Sequence, residues 1–262
     1  MQKGYFRSDT YQTPEKANPS IWDKLLLDSS LYFFLKYAAI VFRTSKQAKR
    51  KLYDTRAWTD SSYYIFRLIE KTGGRFKITG MENIVKQEGA VLFISNHMST
   101  LETMILPCII GPHRELTFVV KESLVSHPLF KDVMLSRNPV VVGRADPRKD
   151  LEAVMNGGAE LLSKGISIVI FPQSTRNLDF KPEDFNSLGV KLAKKAGVAV
   201  VPIALKTDFW GNGKLIKELG TLDHKKTIHF KFGEPFKVTG NGKEDNNRII
   251  ASIKSSLEEW ME

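Results

Sequence analysis

Apolar residues in this chain fall into short unbroken runs, separated by segments where they recur every three or four positions. Residues 90–94 (Ala-Val-Leu-Phe-Ile), 167–171 (Ser-Ile-Val-Ile-Phe) and 198–204 (Val-Ala-Val-Val-Pro-Ile-Ala) have strand length and carry almost no polar side chain, so they predict interior strands. Residues 76–79 before Gly80, and 115–120, predict two more. Residues 227–232 alternate apolar and polar, the pattern of a half-buried strand. Helical spacing fills the gaps. A helix is predicted over 146–163 with Pro147 in its first turn and a break at Gly157-Gly158. Another covers 188–195 up to Gly197, and an amphipathic one closes the chain over 244–261. Strands interleaved with helices predict an α/β fold: a mixed, largely parallel sheet flanked by helices.

The N-terminal quarter reads differently. Residues 1–20 are polar, contain Pro14 and Pro19, and lack the apolar core of a signal peptide, so they form a loose lead-in. Residues 21–72 are predicted helical and form an N-terminal helical hairpin preceding an α/β domain over 73–262. Ile21, Trp22 and Leu25-Leu26-Leu27 lead to an apolar run over 31–42. At 12 residues, with Lys36 inside it, that run is shorter than the ~20 needed to span a bilayer. Arg43, Lys46, Lys49, Arg50 and Lys51 follow, and a second helix near 61–71 offers Tyr63, Tyr64, Phe66 and Ile69. Aromatic helices beside clustered cations suit an interfacial anchor on an anionic membrane. The same pattern also suits a hairpin packed on the domain with a solvated basic edge.

Composition narrows the partners. With 39 Lys and Arg against 29 Asp and Glu, the net charge is +10, which suits nucleic acid, an anionic membrane or a phosphorylated substrate. Zinc-ligand spacing, a helix-turn-helix signal and basic-aromatic strands are all absent from the sequence, which argues against nucleic acid. Cys108 is the single cysteine and forms no internal disulfide, in keeping with a reducing compartment. The five histidines form no metal-binding cluster. His113, His127, His224 and His229 have no acidic partner at a telling spacing and read as structural or surface residues.

Chemistry is concentrated at two strand exits. After the run 90–94 comes Ser95-Asn96-His97-Met98-Ser99-Thr100-Leu101-Glu102, with Ser99 expected to open a helix. Ligands in open α/β sheets bind at the carboxyl ends of strands. A histidine there, with its second nitrogen held by a carboxylate, can take a proton from an alcohol. His97 and Glu102 lie five residues apart, about 140° around a helix of ~3.6 residues per turn, so they meet only if His97 stays in the turn. Ser99 to Glu102 is also a capping box, in which Glu102 would serve only the backbone. The second exit, Phe171-Pro172-Gln173-Ser174-Thr175-Arg176, brings hydroxyls, backbone N–H groups and a guanidinium, a set suited to phosphate.

Taken together the motifs resemble the glycerophospholipid acyltransferases typified by 1-acylglycerol-3-phosphate acyltransferase. That family has four ordered blocks: Asn-His and an acid five residues on, usually Asp (here Asn96-His97 and Glu102); an arginine after a short apolar strand (Pro139 to Arg144); Phe-Pro-Glu-Gly-Thr-Arg (here 171–176, with Gln173 and Ser174 departing); and an apolar strand with proline (198–204). The resemblance covers roughly residues 75–235. It implies transfer of a fatty acyl group from an acyl-CoA or acyl-carrier-protein thioester to a lysophospholipid hydroxyl, with 1-acylglycerol 3-phosphate first in line. Other lysophospholipids, glycerol 3-phosphate and lipid A precursors remain as acceptors, and a non-catalytic lipid-binding protein remains as the alternative class. It further implies His97 as general base, Glu102 as its orienting acid, and Arg144 and Arg176 on the acceptor phosphate. Gln173, Ser174 and Thr175 would line the acceptor site, with backbone N–H groups near Ser174 and Thr175 on the oxyanion. Lys121 would join them there or remain a solvated lysine. No bound cofactor is implied, and the expected location is the cytoplasmic face of a membrane, peripheral or monotopic.

Overall fold

A computed structural model describes residues 5–6, 8–15, 30–173, 175–213 and 219–261; the expectations for Ile21, Trp22 and Leu25 to Leu27 lie outside these residues. Strand β1 (Tyr11–Gln12) is followed by helices α1 (Ser30–Lys49) and α2 (Thr55–Lys71), then β2 (Arg75–Thr79) and β3 (Val91–Ser95). Helix α3 (Leu101–Ile110), β4 (Leu116–Lys121), the short helices α4 (Glu122–Ser126) and α5 (Lys131–Leu135), and β5 (Val140–Val142) come next. The chain closes with α6 (Pro147–Ser163), β6 (Ser167–Ile170), α7 (Leu188–Ala196), β7 (Ala199–Lys206), β8 (Thr227–Phe232), β9 (Phe236–Lys237) and α8 (Lys243–Glu259).

The strands form one sheet in the order β1-β2-β8-β7-β3-β6-β4-β5, with β9 against β7. Pairings from β7 through β3, β6 and β4 to β5 are all parallel, as is β2 with β8; β1, β8 and β9 add antiparallel contacts. The sheet is therefore mixed and mostly parallel. Every residue of β3 is buried because helices cover both faces. Val91 and Phe93 share a core with α1, α2 and α3, whereas Leu92 and Ile94 pack with α6, α7 and α8. Alternating side chains of one central strand thus hold the two layers together.

Helix α1 runs on through Arg43, Lys46 and Lys49, within the predicted helical segment, with Thr44, Ser45 and Ala48 buried on its inner face. Several elements depart from the sequence expectation, each for a local reason. Helix α2 opens at Thr55, not near residue 61, because the Asp54 carboxylate accepts the Ala57 N–H at 2.8 Å and caps it. Helix α6 runs unbroken through Gly157-Gly158. A Cβ at Gly158 would stand 2.8 Å from Leu192 Cδ2, so glycine serves the close approach of α7 there. The lead-in is not wholly loose: β1 pairs with β2, and the Tyr11 and Thr13 hydroxyls each donate to buried Glu70 at 2.7 Å.

The helical hairpin shares the core of the sheet. Phe33, Tyr37, Val41 and Ala48 line one face of α1, and Phe33 and Tyr37 meet buried Trp210 edge-on at 5.0 and 5.2 Å. The opposite face exposes Leu31, Leu35 and Phe42, which are 71%, 63% and 60% accessible. Among the described residues no helix is long and apolar enough to cross a membrane. Phe33→Ala empties a fully buried site between hairpin and sheet, and is expected to destabilise the protein by about 3–5 kcal/mol. Urea unfolding checks this; an unchanged midpoint would show that the hairpin folds apart from the sheet.

Candidate active site

The carboxyl ends of β3, β6, β4 and β5 lie side by side along one edge of the sheet, and each carries part of the predicted site. β3 leads to His97, and β6 to Gln173, Thr175 and Arg176. Lys121 ends β4, and Arg144 follows β5. Ser174 lies outside the described residues. Arg144 stands three strands from β3, about 14 Å at the usual ~4.8 Å spacing, so it lines the same edge without joining the His97 cluster.

The exit of β3 is fastened to β7 by side chains. Ser95 Oγ donates to the Ile203 carbonyl at 2.9 Å. Asn96 Nδ2 donates to Leu205 O at 2.8 Å, while its Oδ1 accepts the Leu205 N–H at 2.9 Å. Asn96 is buried, and its amide extends the β-ladder past the end of the strand. His97 then lies in the turn, as the spacing requires. The helix itself begins at Leu101, two residues later than the expected Ser99, which places Glu102 in its first turn.

Glu102 is fully buried and saturated with donors. Its Oε1 accepts from His97 Nδ1 at 2.8 Å, Met98 N–H at 2.7 Å and Ser99 N–H at 2.8 Å. Its Oε2 accepts from the Thr207 hydroxyl at 2.6 Å, with Ser99 Oγ at 2.9 Å. Ser99 Oγ in turn accepts the Leu101 N–H at 3.1 Å. One carboxylate therefore accepts both the backbone N–H groups at the helix entry and the His97 ring. Burial alone would raise its pKa, but the hydrogen bonds from His97, Thr207 and Ser99 and the charge of His97 outweigh it, and the carboxyl lies below its ordinary value.

An ionised carboxylate only accepts, so the proton of the neutral imidazole resides on Nδ1 and the Nε2 lone pair is left for a substrate. The ring stacks on Phe171, centroids 4.3 Å apart at 18°. Below it, Gln173 is buried and its Oε1 accepts the His97 N–H at 2.8 Å. Arg176 Nη1 donates to Thr100 Oγ1 at 2.8 Å, and Thr175 is exposed. Further along the edge, Lys121 and Arg144 are both exposed. Arg144 has a left-handed backbone, φ 64°, held where the Asp150 carboxylate accepts the Gly143 and Arg144 N–H groups at 2.8 Å each. Such an edge offers a base, a guanidinium and further cations: the parts needed to deprotonate an alcohol that carries a phosphate.

The sequence reading missed Thr207, Asp150 and Asn177, whose N–H donates to the His97 carbonyl at 2.9 Å. Thr207 follows the fourth block but lies 105 residues from Glu102, and nothing local signals the contact. Asp150 follows Arg144 by six residues in the first turn of α6, where an acid reads equally as helix-dipole compensation. No group of His, Cys, Asp and Glu suited to a metal ion occurs among the described residues.

Comparison with known proteins bears on this edge directly. The acyltransferase family model matches residues 75–206, which contain all four strand exits. The chain is 27% identical over 237 residues to a 1-acyl-sn-glycerol-3-phosphate acyltransferase of Pseudomonas aeruginosa, covering 90% of this chain and 86% of that protein. It is 30% identical over 171 residues to the chloroplastic 1-acyl-sn-glycerol-3-phosphate acyltransferase LPAT1 of Arabidopsis thaliana, covering 64% of this chain and 44% of that one. Its fold is similar to the crystal structure of the 1-acyl-sn-glycerophosphate acyltransferase PlsC from Thermotoga maritima, with a TM-score of 0.63, 22% identity, and coverage of 92% and 97% of the two chains. With the family model spanning half of its length and the whole of the histidine-bearing sheet edge, the chain belongs to the acyltransferase family.

Proposed function

We propose that this protein acylates a lysophospholipid, 1-acylglycerol 3-phosphate, to give phosphatidic acid, with an acyl-CoA or acyl-carrier-protein thioester as donor. The observation that carries the chemistry is the His97 Nδ1 to Glu102 Oε1 hydrogen bond at 2.8 Å, made to a carboxylate fixed by four other donor groups. The choice of acceptor is supported by the names of the similar proteins. In the proposed reaction His97 Nε2 takes the acceptor's hydroxyl proton as that oxygen attacks the thioester carbonyl. The tetrahedral intermediate collapses, the C–S bond breaks, and the thiolate leaves with the proton returned by His97. Glu102 holds the tautomer and stabilises the imidazolium. Arg176 and Arg144 bind the acceptor phosphate, and Thr175 and Lys121 contribute to the electropositive edge on which the oxyanion forms. The chemistry calls for no metal ion or bound cofactor.

We also propose that the exposed face of α1 rests on an anionic membrane, at its cytoplasmic surface, as a peripheral or monotopic contact. Leu31, Leu35 and Phe42 are set to enter the acyl boundary, while exposed Arg43, Lys46, Lys49, Arg50 and Lys51 face headgroups. Each cation near such a surface contributes about 1 kcal/mol, screened by salt.

Two outcomes are expected. Glu102→Gln cannot offer its amide nitrogen to the N–H donors, so kcat should fall by on the order of 10²–10⁴ in an assay with labelled acyl thioester and a lysophospholipid panel. Because Glu102 is held below its ordinary value, its contribution to stability is complete near neutrality and is lost as pH falls below about 4. The variant's stability should show a shallower dependence on pH in that range. Wild-type turnover by Glu102→Gln would remove the mechanism. Separately, Leu35→Glu combined with Phe42→Glu should weaken sedimentation with anionic phospholipid vesicles roughly 10²-fold, given ~1.5–3 kcal/mol for each large apolar side chain. Full retention of binding would place the membrane contact elsewhere.

A further inference from the structure

The turn after β6 does more than present Arg176. It grips the main chain of His97 on both sides: Gln173 Oε1 accepts the His97 N–H at 2.8 Å, and the Asn177 N–H donates to the His97 carbonyl at 2.9 Å. Phe171 covers the imidazole and Arg176 holds Thr100, so the same turn also touches the residues around the base. The turn is itself pinned from α7's side, where Asn186 Nδ2 donates to the Pro172 carbonyl.

The register explains why a side chain is used. β3 and β6 pair in parallel with Ile94 opposite Ile170, and His97 and Gln173 each lie three residues further on. Beyond the paired residues the regular ladder ends, and the acceptor for the His97 N–H is the Gln173 side-chain amide. On β3's other flank the Asn96 amide performs the equivalent task toward Leu205 of β7. Two buried side-chain amides therefore extend the sheet to the residue that carries the base. Gln173 is only 3% exposed and its carbonyl oxygen is already engaged, which leaves it poorly placed to read an acceptor headgroup. The carboxylate of the related block pattern could accept the same N–H, but it would add a second buried negative charge close to Glu102. The amide avoids it.

We propose that Gln173 is a positioning residue, not a substrate contact: it fixes the main chain of His97 and thereby the direction of Nε2. This rests on His97 being the base. Gln173→Leu should lower kcat and kcat/KM together by on the order of 10–10², the penalty of a small misplacement, with acceptor KM within about twofold. Gln173→Glu keeps the acceptor atom and should recover most of kcat. Gln173→Asn, which withdraws the oxygen by one methylene yet stays polar, should behave like the leucine variant and serves if that variant does not fold. A rise in acceptor KM at unchanged kcat, or no change in either, overturns the proposal. His97→Ala assayed alongside separates the two readings. Wild-type turnover in that variant defeats the base assignment and this inference together; its inactivity beside a fully active Gln173→Leu defeats the inference alone.

Discussion

A carboxylate with no exposure to water governs the geometry of this molecule's reactive edge. Glu102 is taken out of solvent, which would favour its neutral form, and is kept ionised by donors arriving from the turn before α3, from the residue after β7 and from His97 itself. Each donor has its own structural consequence. The Met98 and Ser99 amides fix the entry into α3, and Thr207 ties that entry to the end of β7. The imidazole bond sets which nitrogen carries the proton. Because the groups share one acceptor, the turn cannot shift without disturbing the His97 ring. From the first turn of α3 the Glu102 side chain reaches back to all of them.

The remaining architecture supports that arrangement. Parallel strands deliver the reactive residues to one edge, and two buried amides hold β3 to its neighbours where main-chain pairing ends. The hairpin closes the opposite side of the core through Trp210 and leaves a second, apolar face of α1 uncovered. The His97-bearing edge and the exposed apolar ridge of α1 thus belong to elements that share one hydrophobic core.

Much of this was legible in the amino-acid order. The runs at 90–94, 167–171 and 198–204 announced the three adjacent central strands because burial on both faces leaves little room for polar residues. His97 and Glu102 could be paired from their spacing, provided the histidine stayed outside the helix, as it does. Three kinds of feature escaped. Contacts between distant segments, such as Thr207 with Glu102, leave no local trace. Helix limits set by side-chain caps, such as Asp54 before α2, lie outside the apolar period. Gln173 was expected at the acceptor site from the resemblance of residues 171–176 to the family's third block; its burial and its hydrogen bond from the His97 N–H are contacts with a separate strand exit that no local pattern signals.

The central claim is that Glu102 holds neutral His97 with its proton on Nδ1 and its lone pair on Nε2. Nitrogen-15 NMR of the imidazole in histidine-labelled protein, at a pH where the ring is neutral, reads this directly. A protonated Nδ1 and a bare Nε2 are expected, with the pattern lost in Glu102→Gln. A proton found on Nε2, or a tautomer mixture that ignores the Glu102 substitution, would contradict it.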